Sequence, residues 1–382
     1  MRKDGREAGL TEAVQNLLQQ FINGIQTGAV YALIAIGYTM VYGVLKFINF
    51  AHGDVYMVGA YIGYFAIGGF LLHYNPALQD VAALIICMAG CAALGAFIER
   101  LAYRPLRNGL TKGDAWPWAL FWALYAGLFG GPSLEAHSGL NSVGAFAVAA
   151  VIGFALLLPA FFVLFNYLGK RLQPTNSRLN ALITAIGISL LIENQWQASF
   201  TATPQQYPDQ GFKAVNLHAG VIQLNVNGGR IAMLVIAVLL TALLVYIVRY
   251  TRTGRAIRAV SLDPEAAALQ GIPTDRIIAI TFLIGASLAG AAGFLNHNLG
   301  QIYFKPDVGV QLGLKAFVAA VLGGIGSIEG AVLGALLMGL AESYVGGSSL
   351  SAFKNAIAFV ILTAVLLFRP SGLMGRHVPE KV

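Results

Sequence analysis

Apolar residues run along this chain in blocks of roughly twenty, broken by short polar stretches, a pattern that predicts membrane-spanning helices. Candidate spans lie near 21–45, 55–72, 78–98, 115–131, 143–168, 179–197, 230–248, 277–295, 309–325, 327–345 and 353–368. The run at 115–131 is short and holds Trp116, Trp118 and Trp122, which suit a membrane interface. A transmembrane barrel would show runs of about ten alternating residues, a pattern absent here. The fold class is therefore all-α and polytopic.

Composition points the same way. The chain has 382 residues, of which 57% are hydrophobic and only 11% charged, with a mean hydropathy of +0.70. A soluble domain is about 25% charged, so a chain this size must face lipid. Cys87 and Cys91, one helical turn apart inside an apolar run, read as small packing residues, and no metal set or disulfide framework is available. The first twenty residues lack the contiguous apolar core of a cleavable signal.

The net charge of +7 is informative by position. With the loop at 249–276 taken as cytoplasmic, alternation puts sixteen Lys and Arg on that side. They are Lys46, Arg100, Arg104, Arg107, Lys112, Lys170, Arg171, Arg178, Arg249, Arg252, Arg255, Arg258, Arg276, Arg369, Arg376 and Lys381. Only Lys213, Arg230, Lys305 and Lys354 fall opposite. That imbalance sets the orientation and speaks for membrane topology, with no nucleic acid as partner. The odd number of spans leaves Arg2, Lys3 and Arg6 outside, against the same rule.

Glycine is abundant and often spaced by four, as in Gly24/Gly28/Ala32, Gly59/Gly63, Gly285/Ala289/Gly293 and Gly326/Gly330/Gly334. Such spacing puts small residues on one helix face and lets backbones approach closely. No G-x-x-x-x-G-K-[ST] sequence occurs, so the glycines form no nucleotide-binding P-loop.

Three polar places stand out. In the loop at 249–276, Asp263 before Pro264 is an N-cap followed by proline at the first helical position. Glu265 suits the helix dipole, and Gly271-Ile272-Pro273 is a stop signal. The spacing predicts two helical turns over Pro264–Gln270, with Ala266, Ala267, Ala268 and Leu269 on the surface for a partner groove. The second place is Lys46–Asp54, where Asn49, His52 and Asp54 fall in a short loop, either lining an inner mouth or lying at the interface. No serine or cysteine nucleophile stands near them in sequence. The third is a pair of charges inside spans, Lys315 and Glu342, expected to pair or to face an aqueous cavity near the outer mouth.

Several ordered blocks then carry a family resemblance. Gly28–Gly43, Ile48–Asp54, Tyr103–Arg107, Leu182–Gly187, Thr253–Ala259, Thr274–Phe282, Lys315–Ser327 and Arg369–Gly375 resemble the branched-chain amino-acid ABC permeases of the LivH type. The likeness covers almost the whole chain except about 108–177. It implies a permease subunit translocating leucine, isoleucine, valine or related amino acids across the bacterial inner (plasma) membrane. It further implies a second, LivM-like permease subunit, two cytoplasmic ATPase subunits and a periplasmic amino-acid-binding protein. No cofactor belongs to this chain, since ATP is bound by the ATPases, and the chain is no enzyme. The resemblance makes Pro264–Gly271 the coupling helix, with Arg255, Arg258, Asp263, Glu265, Ala266, Ala267, Leu269 and Gly271 as ATPase-coupling residues. Asn49, His52, Asp54, Lys315 and Glu342 are the translocation-pathway candidates.

The departure from the family pattern is 108–177, which adds two apolar runs. The organisation expected is N-terminal transmembrane helices over 1–107, an inserted apolar hairpin over 108–177 and C-terminal transmembrane helices over 178–382, giving about nine core helices plus the hairpin. A urea or short-amide importer of the same family is the alternative. From a different class, the rival is an ATP-independent channel or secondary transporter.

Overall fold

The longest apolar segment becomes the helix around which the rest assembles. In a computed structural model, which describes residues 2–69, 71, 74–108, 115, 116, 118–120, 123, 142–169, 178–200, 202–208, 214–219, 222–300 and 302–375, α1 runs from Arg2 to Leu45. Every residue from Val30 to Ile36 is almost completely buried, as expected of a helix that is apolar all round. The other elements are α2 (His52–Gly68), α3 (Pro76–Ile98), a π-helical turn (Glu99–Tyr103), α4 (Arg104–Asn108), α5 (Ser142–Gly169) and α6 (Arg178–Phe200). A hairpin of β1 (Ala214–Ala219) and β2 (Ile222–Asn227) follows, then α7 (Gly228–Tyr250), α8 (Arg252–Leu262), α9 (Pro264–Leu269) and α10 (Thr274–Asn298). The last helices are α11 (Val308–Gly323), α12 (Ile328–Gly346) and α13 (Ile357–Phe368).

Each expected span other than 115–131 falls on one of these helices. Most of 115–131, Trp122 included, lies outside the described residues, as do Lys112, Lys170, Arg171, Lys213, Arg376 and Lys381 of the charge pattern. Among the described residues, five helices are long and apolar enough to cross a membrane, and Val148–Val163, Val308–Gly323 and Ile357–Phe368 are shorter apolar helices. Among the described residues, the chain departs from all-helical in the antiparallel β1–β2 hairpin, whose register pairs Ala214 with Asn227 and Ala219 with Ile222, and in an isolated bridge between Gln205 and Phe304. The apolar runs at 179–197 and 230–248 predict no element between them.

Met1–Gly95 with Ala185–Val382 form one compact unit and Ala96–Thr184 another. In the first, α1 packs on α12, α10, α11 and α7. Small residues make this possible. A Cβ placed on Gly24 or Gly28 would lie 2.8 Å from the backbone of Leu340 or Leu336 on α12. Gly334 and Gly330 meet α11 in the same way. Gly326 does not belong to this stripe. It lies in the α11–α12 turn with φ +101° and nothing near its Cβ position. Cys87 and Cys91 are buried free thiols, and Cys91 Sγ donates to Val55 O at 3.5 Å.

Large apolar side chains on the outer helices remain uncovered, including Val235, Leu239 and Leu243 of α7 and Phe359 and Leu367 of α13. A surface of that kind is stable in lipid and not in water. In the second unit, Glu99 and Arg107 form an ion pair at 3.1 Å. The Arg100 guanidinium stands 5.0 Å from the Trp116 ring centroid.

Candidate functional site

Two sites emerge, a pair of helices in the polar stretch after α7 and a buried charge network beside a cavity. The first begins with capping. Thr251 Oγ1 accepts from Gly254 N at 3.0 Å and starts α8, whose Gly254, Ile257 and Val260 face inward. Asp263 ends α8 and opens α9, its Oδ1 accepting from the backbone N–H of Glu265 and Ala266 at 2.9 Å each. Gly271 closes α9 at φ +79°. Gly271 N donates to Ala268 O and Ile272 N to Ala267 O, the pair of bonds that ends a helix on a left-handed glycine.

Pro264–Leu269 is thus helical with the expected caps, and Gln270 is its C-cap. Ala267, expected on the surface, is buried at 4% exposure, because it is the residue of this short helix that turns toward the rest of the chain. Glu265, Ala266, Ala268 and Leu269 are exposed. Leu262 and Leu269 stand 84% and 88% exposed, a pair of large apolar side chains without cover at the two ends of α9. Arg258 is engaged by its own chain. Its Nη1 donates to the Val248 and Arg249 carbonyls at the end of α7, where helix carbonyls lack intrahelical donors. Arg255 projects outward.

The whole of α8 was absent from the sequence reading, though Gly254, Ile257 and Val260 at three-residue spacing were a usable signal. It is the element that ties the polar stretch to the core, since α8 contacts α1, α7 and α10, and α9 contacts α8 and α10.

The second site is built on Glu342 of α12. Its Oε1 accepts from Lys315 Nζ at 2.7 Å and its Oε2 from the Tyr31 hydroxyl at 2.5 Å. Lys315 Nζ also donates to Asn355 Oδ1 at 2.8 Å, and Lys354 Nζ lies 3.6 Å from Glu342 Oε1. An unpaired charge in lipid is costly, so α1, α11 and α12 share one network that neutralises it. A cavity of about 300 Å³ opens beside Glu342, lined by polar groups from α1, α7, α10 and α12. The sequence reading missed this lining, yet Gln20, Asn23 and Gln26 recur every third residue on α1 and mark one face.

Asn49, His52 and Asp54 are buried rather than loop-exposed. The chain re-enters helix at His52 because Lys46, at φ 59°, reverses the backbone after α1. Partial burial pulls the Lys46 ammonium below its ordinary pKa. The His52 ring meets Tyr38 edge-on at 4.8 Å. Asp54 is fully buried beside Gly309.

Comparison with known proteins settles the family. The model of the branched-chain amino acid transport system permease component matches residues 20–139 and 119–368. This chain belongs to that permease family. It is 34% identical over 379 residues to the high-affinity branched-chain amino acid transport system permease protein LivH of Escherichia coli K12, covering 98% of this chain and 100% of that protein. The corresponding permease BraD of Pseudomonas aeruginosa is 35% identical over 377 residues, with 97% and 99% covered. A shorter likeness, 34% over 113 residues, reaches the fructose import permease FrcC of Rhizobium meliloti, covering 28% of this chain and 31% of that protein. No solved structure matches. The chain is a multi-pass transport permease of the ABC class, with ABC transporter subunits as its partners.

Proposed function

We propose that this chain is one of two permease subunits of a binding-protein-dependent importer that carries branched-chain amino acids across the bacterial inner membrane. The observation that carries this reading is the likeness to LivH, which extends over nearly all of this chain and the whole of that protein. On this reading a LivM-like permease completes the pathway, a periplasmic binding protein delivers the amino acid, and two ATPase subunits hydrolyse ATP. The chain itself catalyses nothing. Residues 108–177 are an inserted segment within an otherwise family-typical set of helices.

The α8–α9 pair supplies the coupling. Leu262, Leu269 and the small residues Ala266 and Ala268 suit an apolar groove on an ATPase, and α8 rests on α1 and α10. A pull on α9 therefore reaches the two most central helices, where hinge or shear motion would exchange outward- and inward-open states. Glu342 and Lys315 lie on the pathway beside the cavity. His52 and Asp54, in the first turn of α2, face α1 and α11, and Asn49 just precedes them.

Reconstitution of the chain with its partner permease, ATPases and binding protein in proteoliposomes tests the reading. Leucine accumulation is expected only with ATP and binding protein together. Accumulation that persists without ATP would make the chain a channel or secondary transporter instead.

A further inference from the structure

The cavity beside Glu342 has an uneven charge. Glu342 already shares its negative charge with Lys315 and Lys354 and takes a hydrogen bond from Tyr31. Arg230, in the first turn of α7, also lines the cavity. Among the described residues no acid pairs with it. The chamber therefore holds one guanidinium in want of an anion. Around it stand amides, Gln20, Asn23 and Gln26 from α1 and Asn296 from α10. The Asn296 Nδ2 is committed to the Tyr56 hydroxyl at 2.7 Å, which leaves its Oδ1 as an acceptor. Met233 and Ile302 supply an apolar patch on the wall.

We infer that this cavity is a way-station for the α-amino-acid zwitterion, with Arg230 binding its carboxylate and the Gln26 and Asn296 amide oxygens its ammonium, since the Gln20 and Asn23 oxygens already accept from Ser343 and Gln19. The inference rests on the proposed function and adds the residues that hold the cargo. A guanidinium matches a carboxylate bidentately, which a lysine does not. A volume of about 300 Å³ lies at the small end of ligand pockets and admits one amino acid with its hydration. Met233 and Ile302 then meet the aliphatic side chain. Glu342 is a fixed part of the wall, held by Lys315 and Tyr31, and not itself the ammonium ligand. A neutral sugar would leave Arg230 unpaired, so the charge of this chamber selects for an acid group.

The test uses the complete transporter in proteoliposomes with saturating leucine-loaded binding protein. Wild-type leucine uptake reports on the proposed function, and its absence would remove the basis of the chamber as well. With wild-type uptake present, R230Q is expected to lower leucine uptake at least tenfold, with ATPase activity within twofold. R230K should recover part of the loss. Uptake by R230Q within twofold of wild type would overturn the chamber while leaving the importer reading intact. A parallel fall of uptake and ATPase activity in both R230Q and R230K would assign Arg230 to the structure of the outer mouth and overturn it too.

Discussion

Lys315 Nζ stands 2.7 Å from Glu342 Oε1, with side-chain exposures of only 13% and 4%. Two charges so enclosed are stable only together. Removing one partner of a buried pair costs about 3–5 kcal/mol, because the other is left desolvated and uncompensated. Lys315→Glu and Glu342→Lys are each expected to lower the thermal unfolding midpoint in detergent sharply. The double reversal restores the pair and should recover much of the loss. A double variant as unstable as the sum of the singles would mean that the contact contributes little.

Tyr31 donates to the other oxygen of Glu342 from α1. A hydrogen bond to a charged acceptor is worth about 1.5–3 kcal/mol. Tyr31→Phe should therefore destabilise by roughly 2 kcal/mol, with the ring packing kept. In a Glu342→Gln background the same substitution is expected to cost clearly less, and thermal unfolding of the four proteins measures that coupling.

Asp263 caps α9 and Gly271 ends it at positive φ. Asp263→Ala removes the acceptor of two backbone N–H groups and is expected to cost about 1 kcal/mol of local helix stability. Gly271→Ala forces a side chain into the left-handed region at about 1 kcal/mol. Asp263→Asn should be nearly neutral. Hydrogen exchange over 264–269 should quicken in the first two variants, and co-purification of the ATPase subunits should weaken with it. Unchanged co-purification despite faster exchange would remove α9 from the coupling surface.

Arg249 and Arg258 sit nine residues apart and do different things. Arg249 pairs with Glu329 at the surface, both side chains about half exposed, and such pairs are worth about 0–1 kcal/mol. Arg258 instead satisfies the Val248 and Arg249 carbonyls at the end of α7. Arg249→Ala is expected to leave ATPase association unchanged. Arg258→Ala frees those carbonyls and loosens α8, at about 1–3 kcal/mol, and should weaken association several-fold in a pull-down.

Much of this was legible beforehand for physical reasons. Twenty-residue apolar runs leave the backbone in lipid no choice but helix, and Asp263-Pro264 with Gly271 determines a short helix through local chemistry alone. Lys315 and Glu342 were identifiable because a charge inside an apolar run demands a partner. The β1–β2 hairpin is written only in the alternation of Val215, Leu217, Ile222, Leu224 and Val226 with polar residues, a weak signal because strands of six residues bury little apolar surface beside twenty-residue helices. Burial of His52 and Asp54 was not legible. It depends on Gly53 meeting Gly309 and Gly313, a contact between residues far apart in sequence. Arg230 reads as a loop charge until the fold brings α1, α7, α10 and α12 around one cavity.

Gly59 and Gly187 separate packing from propensity. A Cβ on Gly59 would come within 2.5 Å of Gly290 Cα, backbone against backbone, so α2 and α10 would have to part. Overpacking of that kind costs about 1–3 kcal/mol or more, and no side-chain rotation relieves it. Gly187, inside α6, has nothing within 4 Å of its Cβ position. There alanine only removes the entropic cost of glycine in a helix, a gain of about 0.5–1 kcal/mol. Gly59→Ala is thus expected to lower the unfolding midpoint and Gly187→Ala to hold or raise it in the isolated chain. The same two substitutions in the assembled transporter extend the test. Should Gly187→Ala disrupt assembly while stabilising the isolated chain, the open face of α6 is where the second permease packs.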